Sequence, residues 1–456
     1  MSKLFEEFEG VSAKAWKQKI HLDLKGADYN DTLIWQSPEG IHVKPFYHPD
    51  DFEGRFDDIP GHPKKWEVVQ DVFIDDENTA NSLAKDALNR GAEAIFFTAD
   101  KVFDRKKVFK GIDFSKGTIY FDLRFLNKEF HNELMTFLTE KKACVFYNID
   151  LIGNLARTGN WYTNLKEDHI VLDQLVEKFP SEALLSVDAA LYQNAGANIV
   201  QQLAYAIAHA NEYLNHFQDK KDLLINFKTA AGNNYFFEIA KLRALRKLYS
   251  VLGHEYEMNP VCNILSTPSR RNKTIYDYNV NMLRSTTECM SAILGGANAI
   301  SNLSYDTIYQ KSNEFGERIS RNQLLILKSE SYFDAVSNPA DGTYYIESLT
   351  AQLAESALKL FKEIEAGGGF LKLLKEGTIQ RKIKESARKE QQLFDDGELV
   401  LLGTNKHPNP ADLMKETLEL YPFVKMKPRK TLIEPVIEKR LADSIEKERL
   451  ENENQI

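Results

Sequence analysis

Cysteine is scarce in this sequence: Cys144, Cys262 and Cys289 are the only three in 456 residues. Their spacing matches no zinc pattern. Each sits in a largely apolar stretch, so buried free thiols in a reducing compartment are expected. Long hydrophobic runs are missing too, and no window approaches the ~18 consecutive apolar residues of a membrane span. The segment Met1–Gly10 is acidic and has no apolar run, which excludes a secretory signal there. Surplus positive charge is also absent, with 58 Lys and Arg against 67 Asp and Glu and a net charge of -9. Basic residues are dispersed rather than gathered into a nucleic-acid-binding face. The one short basic run, Lys425–Lys430, is soon followed by Glu434 and reads as a solvated segment. These absences predict a cytoplasmic protein with no nucleic-acid partner and no membrane.

What is present is a repeating alternation. Short β-rich runs, Val68–Ile74, Ala92–Thr98, Thr118–Phe125, Cys144–Ile149, Ala183–Val187, Leu223–Phe227, Val261–Leu265 and Ala299–Leu303, are interleaved with helical spacing. Most runs are apolar on successive residues, as expected when both faces of a parallel sheet are covered. Crossover helices return the chain to the same edge, so the strands run parallel. Eight such units predict an α/β fold, a (β/α)8 TIM barrel over residues 66–310; a doubly wound open sheet is the alternative. Helices are expected at Asn78–Asn89, Lys128–Glu140, Asp168–Phe179, Ala195–Phe217, Tyr235–Leu252 and Tyr278–Leu294. Ile199, Leu203, Ala206, Ala210, Leu214 and Phe217 form one apolar stripe, and Gly253 reads as a C-cap beyond Leu252.

Two additions flank the barrel. Residues 1–65 form an N-terminal arm with a helix near Val11–Leu24, a candidate subunit-interface element. Residues 311–456 form a helical C-terminal extension, with helices at Asn313–Glu330, Ile346–Ala366, Gly369–Asp395 and Glu434–Glu453. The last carries Ile437, Leu441 and Ile445. Docking on the chain's own helices and clasping a partner are both open for these segments.

Reactive groups of such a barrel lie at the C-terminal ends of its strands. There the sequence offers Asp150, Asp188 and Lys228, which would suit acid/base or Schiff-base chemistry. No histidine accompanies them and no third metal ligand is in view, so polar packing at the mouth is the plainer account. His209 and His216 stand seven apart on one helix, too far for one metal. Gly295-Gly296-Ala297 follows a helix and precedes a strand, the reverse of a phosphate-binding context, and reads as a tight turn. Arg270, Arg271 and Lys273 read as a solvated basic loop.

Several segments, in order, resemble the methylmalonyl-CoA mutase family. Thr32–Ile41 with Pro45-Phe46-Tyr47 is similar to its N-terminal arm. Gln193–Ala197 with Gln202–Tyr205 resembles its QEAGA and ELAY helix start, and Phe236–Ala244 its FFMEIAKLRA helix. Asn281–Arg284, Gly295–Ala297, Asn338–Tyr345 and Glu347–Thr350 match later landmarks. Against that frame, Ala190 and Leu191 occupy the places of the family's Tyr-His pair, whose histidine the resemblance places on cobalamin and the substrate thioester. Leucine neither donates a proton nor hydrogen-bonds an enolate-like oxygen. The HxQTSGW stretch is replaced by Thr267–Asn272, and RGPY is absent between Pro60 and Trp66. No histidine has a glycine three positions later, so the DxHxxG motif of a cobalamin domain is not found and no cobalamin-binding domain is expected. This pattern of loss resembles the small chain of the heterodimeric enzymes. It implies no catalytic, cofactor or metal residue on this chain and a role in stabilising the heterodimer. It further implies a catalytic large subunit as partner, which holds adenosylcobalamin and interconverts methylmalonyl-CoA and succinyl-CoA in propionate metabolism. Two alternatives stay open: an acyl-CoA mutase barrel acting with a separate cobalamin-binding chain, and an unrelated barrel hydrolase or aldolase using Asp150, Asp188 or Lys228.

Overall fold

Eight parallel strands close into a barrel in the computed structural model, which describes residues 7–425 and 428–453. Most of Met1–Gly10 and part of the Lys425–Lys430 run therefore fall outside the described residues. The strands are β1 (Glu67–Phe73), β2 (Ala94–Ala99), β3 (Thr118–Leu123), β4 (Val145–Ile149), β5 (Ala183–Asp188), β6 (Ile225–Ala231), β7 (Asn263–Pro268) and β8 (Ala299–Ser301). Each pairs with the next, and β8 closes onto β1 with Ala299 opposite Glu67. All eight expected strands are found, and closure excludes the open sheet.

The principal helices are α1 (Ala13–Asp23), α2 (Glu77–Asn89), α3 (Lys128–Glu140), α4 (Leu151–Thr158), α5 (Leu165–Lys178), α6 (Ala189–Asn194), α7 (Ile199–His216), α8 (Tyr235–Glu255), α9 (Val280–Leu294), α10 (Glu314–Leu325), α11 (Tyr344–Ala366), α12 (Phe370–Lys375), α13 (Thr378–Asp395) and α14 (Asp443–Asn452). The apolar stripe of α7 is buried throughout, as expected. The helix starts later than its periodicity suggests, because Asn198 and Gln201 form a capping box at its N-terminus. Ahead of it, Gly196 turns the chain at φ 100°, where a Cβ would meet Ala387 of α13 at 2.5 Å. Gly253 is not a C-cap. It lies inside α8, where a side chain would collide with the backbone of Pro260 at 2.9 Å.

Side chains from several strands meet inside the barrel. Tyr120 stacks on Phe146 at 4.7 Å and 5°, packed with Val69, Ala94, Phe96, Leu265 and Ala299. Beside them runs an amide ladder. Asn263 Nδ2 donates to Asn226 Oδ1 at 2.8 Å, and Asn226 Nδ2 donates to Asn148 Oδ1 at 2.7 Å. The outer core between strands and helices is continuous with α11 and α12 of the extension, which pack on α7.

The arm and the tail dock differently. In the arm, Trp35 meets Phe237 of α8 edge-on at 5.7 Å, and Phe52 stacks on Tyr344 at 5.3 Å. Its helix α1 buries no residue, leaving Trp16 51% and Leu22 75% exposed. The tail departs from expectation, for only Asp443–Asn452 of the predicted Glu434–Glu453 helix is helical. Upstream, residues 432–441 run extended across the barrel's C-terminal face. The N–H of Ile433 donates to Gly159 O, Val436 to Ala156 O, Lys439 to Asn194 O and Leu441 to Arg271 O. These bonds satisfy carbonyls left open at the ends of α4 and α6, and they replace the helical bonds the tail would otherwise make. Pro435 also lacks an N–H for a helix interior.

Cys262 and Cys289 are buried, whereas Cys144 is exposed, since it precedes β4 rather than entering it. Among the described residues no helix is long and apolar enough to cross a membrane.

Candidate functional site

Alternation along the strands turns Asp122 of β3, Asp188 of β5 and Lys228 of β6 toward the barrel axis at the strand ends. There they form one ion network. Lys228 Nζ lies 3.2 Å from Asp188 Oδ2 and 3.4 Å from Asp122 Oδ1. Arg157 of α4 donates to the same Asp188 oxygen, and Arg124 Nε stands 3.7 Å from Asp122. Burial alone would raise both carboxyl groups. The charges of Lys228 and Arg157 overcome it and hold Asp188 far below the ordinary carboxylate range, with Asp122 also lowered. Burial likewise opposes the ammonium of Lys228, but Asp122 and Asp188 together raise its pKa. At neutral pH all these groups are charged and paired. A lysine held as ammonium offers no lone pair for a Schiff base, and a carboxylate so far below its usual range is a poor proton donor.

Asp150, the third residue singled out by sequence, belongs to a different network. It caps α4 by accepting from Gly153 N at 2.8 Å, and it accepts from Asp188 N at 2.9 Å and Tyr213 Oη at 2.8 Å. A histidine does accompany it, contrary to expectation: His209 Nε2 lies 2.9 Å from Asp150 Oδ1, and its Nδ1 is 2.9 Å from Tyr192 Oη. The sequence concealed this pairing because α7 delivers His209 from 59 positions away. His209 is fully buried and stacked on Phe370 at 5.5 Å, so it serves the packing of α7 and α12. His216 pairs separately with Asp173 at 2.6 Å.

Ala190 and Leu191 are parted by the short helix α6, which Asp188 caps. Ala190 lines a cavity of about 310 Å³ at the barrel mouth. Leu191, 1% exposed, is packed into the main core. The basic loop is not solvated as expected: Arg271 and Lys273 are buried, Arg271 on Glu390 at 2.5 Å and Lys273 on Glu288 at 2.7 Å. Only Arg270 stays exposed, on the cavity wall.

Two further carboxylates on that wall escaped sequence reasoning. Asp71 of β1 accepts from Ser301 Oγ at 2.7 Å, and burial pushes it up to about 6. Glu317 of α10 accepts from Ser312 and Gln70; burial, then the charge of Asp71, push it up to about 7. A lone Asp in the apolar run VVQDVFI was the readable signal for Asp71. Nothing marked Glu317. Among the described residues no group of three or more His, Cys, Asp or Glu is placed to hold a metal ion.

A closed eightfold β/α barrel with a polar cavity at its strand C-termini defines the class: a (β/α)8 TIM barrel. The profile of methylmalonyl-CoA mutase matches residues 139–451. The chain belongs to the methylmalonyl-CoA mutase family. It is 34% identical over 460 residues to the methylmalonyl-CoA mutase small subunit of Porphyromonas gingivalis, covering 92% of this chain and 73% of that one. The small subunit from Streptomyces virginiae is 28% identical over 452 residues, covering 88% and 71%. The methylmalonyl-CoA mutase of Cereibacter sphaeroides is 28% identical over 457 residues, and there the chain spans 64% of the relative's length, less than two thirds.

Proposed function

We propose that this chain is the non-catalytic small subunit of an adenosylcobalamin-dependent methylmalonyl-CoA mutase. It works in the cytoplasm as one half of a heterodimer and stabilises a catalytic large subunit. That partner carries the corrin and performs the isomerisation of methylmalonyl-CoA and succinyl-CoA; this chain alone is inactive. The observation that carries the reading is the mouth itself. Where a catalytic barrel presents reacting groups, Lys228 is neutralised between Asp188 and Asp122, Ala190 has no functional group, and Leu191 is turned into the core. The stacked Tyr120 and Phe146 and the asparagine ladder occupy the barrel's interior with side chains bonded or packed to one another.

The residues at the mouth do not fit a corrin. No histidine lines either cavity there, His209 is sealed beneath Phe370, and the tail crosses the face. The uncovered apolar side chains of α1 support the arm as an element that grips the partner.

Co-expression with the catalytic chain, followed by size-exclusion chromatography, tests the assignment. A stable 1:1 complex is expected, and the purified chain alone should acquire no cobalamin absorbance after incubation with the cofactor. A stoichiometric corrin spectrum, or thioester rearrangement by the isolated chain, would overturn it.

A further inference from the structure

The mouth cavity has no role in the subunit reading above, yet it retains unfilled bonding capacity. Asn302, 7% exposed, is fixed by its Nδ2, which donates to Ser320 O at 3.0 Å and Gln323 Oε1 at 2.9 Å. Its amide cannot turn over without losing both bonds, and its Oδ1 is left buried with no donor. Thr229, 5% exposed, also lines the cavity, and its hydroxyl has no partner. Asp71 receives Ser301 on one oxygen only. Glu317 stands near enough to Asp71 for the two charges to oppose each other. Asn302 Oδ1 is thus a buried acceptor short of a donor, a deficit of about 1–3 kcal/mol, and Asp71 and Glu317 add carboxylate oxygens to the same wall.

The opposite charge comes from a second residue. Lys228 is already committed to Asp188 and Asp122, but the guanidinium of Arg270 makes no hydrogen bond or ion pair with any described residue. An exposed cation and a donor-hungry acidic wall thus share one cavity of about 310 Å³. That volume equals the liquid share of roughly ten waters, which is room for a small metabolite.

We propose that the mouth cavity binds a small amino acid as its zwitterion, the ammonium group seated among Asp71, Glu317 and Asn302 and the carboxylate on Arg270. Three N–H donors of an ammonium match the three acceptor side chains, and a guanidinium takes a carboxylate through two parallel bonds. Burial raises the proton affinity of Asp71 and Glu317, and at Asp71 the charges of Arg270 and Lys228 offset it only in part. The chain then senses a metabolite with the face that catalytic barrels use for chemistry.

Isothermal titration of the full chain at pH 7.5 tests this with glycine, L-alanine, β-alanine and 4-aminobutyrate, against propionate and ethylammonium. At least one amino acid should bind 1:1 and at least tenfold tighter than both singly charged controls. Arg270→Gln should weaken it tenfold or more with no change in the thermal transition, since that side chain holds nothing in the fold. Asp71→Asn should likewise weaken it tenfold or more. The proposal fails if no amino acid binds, if ethylammonium binds equally well, or if Arg270→Gln leaves the affinity unchanged. None of these outcomes bears on cobalamin binding or subunit pairing, so the two readings stand or fall separately.

Discussion

The guanidinium of Arg243 lies 2.5 Å from the carboxylate of Glu347, both side chains buried, and joins α8 to α11 across 104 positions of sequence. Arg243 also donates to Asn338 at 3.1 Å and Asp341 at 3.0 Å. Two of the sequence landmarks, Phe236–Ala244 and Asn338–Thr350, are thus the two sides of one interaction. It fastens the extension to the barrel.

Removing one partner strands the other charge in a dry site, which costs about 3–5 kcal/mol. Arg243→Ala should lower the unfolding free energy by about that amount in urea denaturation. A loss below ~1 kcal/mol would mean that the extension is held by apolar packing alone.

Lys228 is expected to behave as a fixed ammonium. In reductive methylation with formaldehyde at pH 7.5, exposed lysines such as Lys19 should be dimethylated while Lys228 stays unmodified in peptide mass spectra. Quantitative labelling of Lys228 would restore the Schiff-base alternative. Lys228→Met should cost about 2–4 kcal/mol, because Asp122 and Asp188 lose a shared cation.

Glu317 makes the opposite contribution to acid stability. Its folded-state pKa, about 7, is raised above the ordinary glutamate value of 4.5 expected in the unfolded chain. Its stabilising contribution is therefore fully present below the unfolded value and is lost as pH rises through 7. Glu317→Gln should match the natural chain near pH 5 and exceed it at pH 8 by on the order of 1–2 kcal/mol, after allowance for solvent screening. Denaturation midpoints across that range decide the matter, and a pH-independent difference would refute it.

Deleting residues 2–24 removes α1, none of whose residues is buried and whose packing is confined to arm residues such as Tyr29 and Phe46. The thermal transition of the isolated chain should stay within about 2 °C, since surface segments away from the core contribute little. Affinity for the catalytic chain should fall at least tenfold in a binding titration. An unchanged dissociation constant would remove the arm from the interface.

The barrel was legible because parallel strands covered on both faces are written as unbroken apolar runs, and each of the eight was readable within a few residues. The tail was not. Ile437 and Leu441 mimic a helical stripe, yet Ile437 is exposed while the N–H groups around it serve carbonyls of α4, α6 and the loop after β7. Local periodicity holds no information about bonds closed across 270 residues. At the mouth, Asp188 and Lys228 were readable, and the structure brings them into direct contact. Asp150 was readable as a residue but not in its role, because Tyr213 and His209 reach it from another helix. Arg271 and Lys273 looked like surface charges because their counter-ions, Glu390 and Glu288, lie elsewhere in the chain.

The extended segment 432–441 has a consequence for biosynthesis. A ribosome releases the chain in order, so every barrel strand has emerged before the residues that seal the ends of α4 and α6 exist. During that interval the carbonyls of Ala156, Gly159 and Asn194 and the side chain of Arg271 lack the bonds that Val436, Ile433 and Lys439 later make with them. The nascent barrel is thus a vessel translated before its strap, with its strand C-terminal face the last part to be fastened.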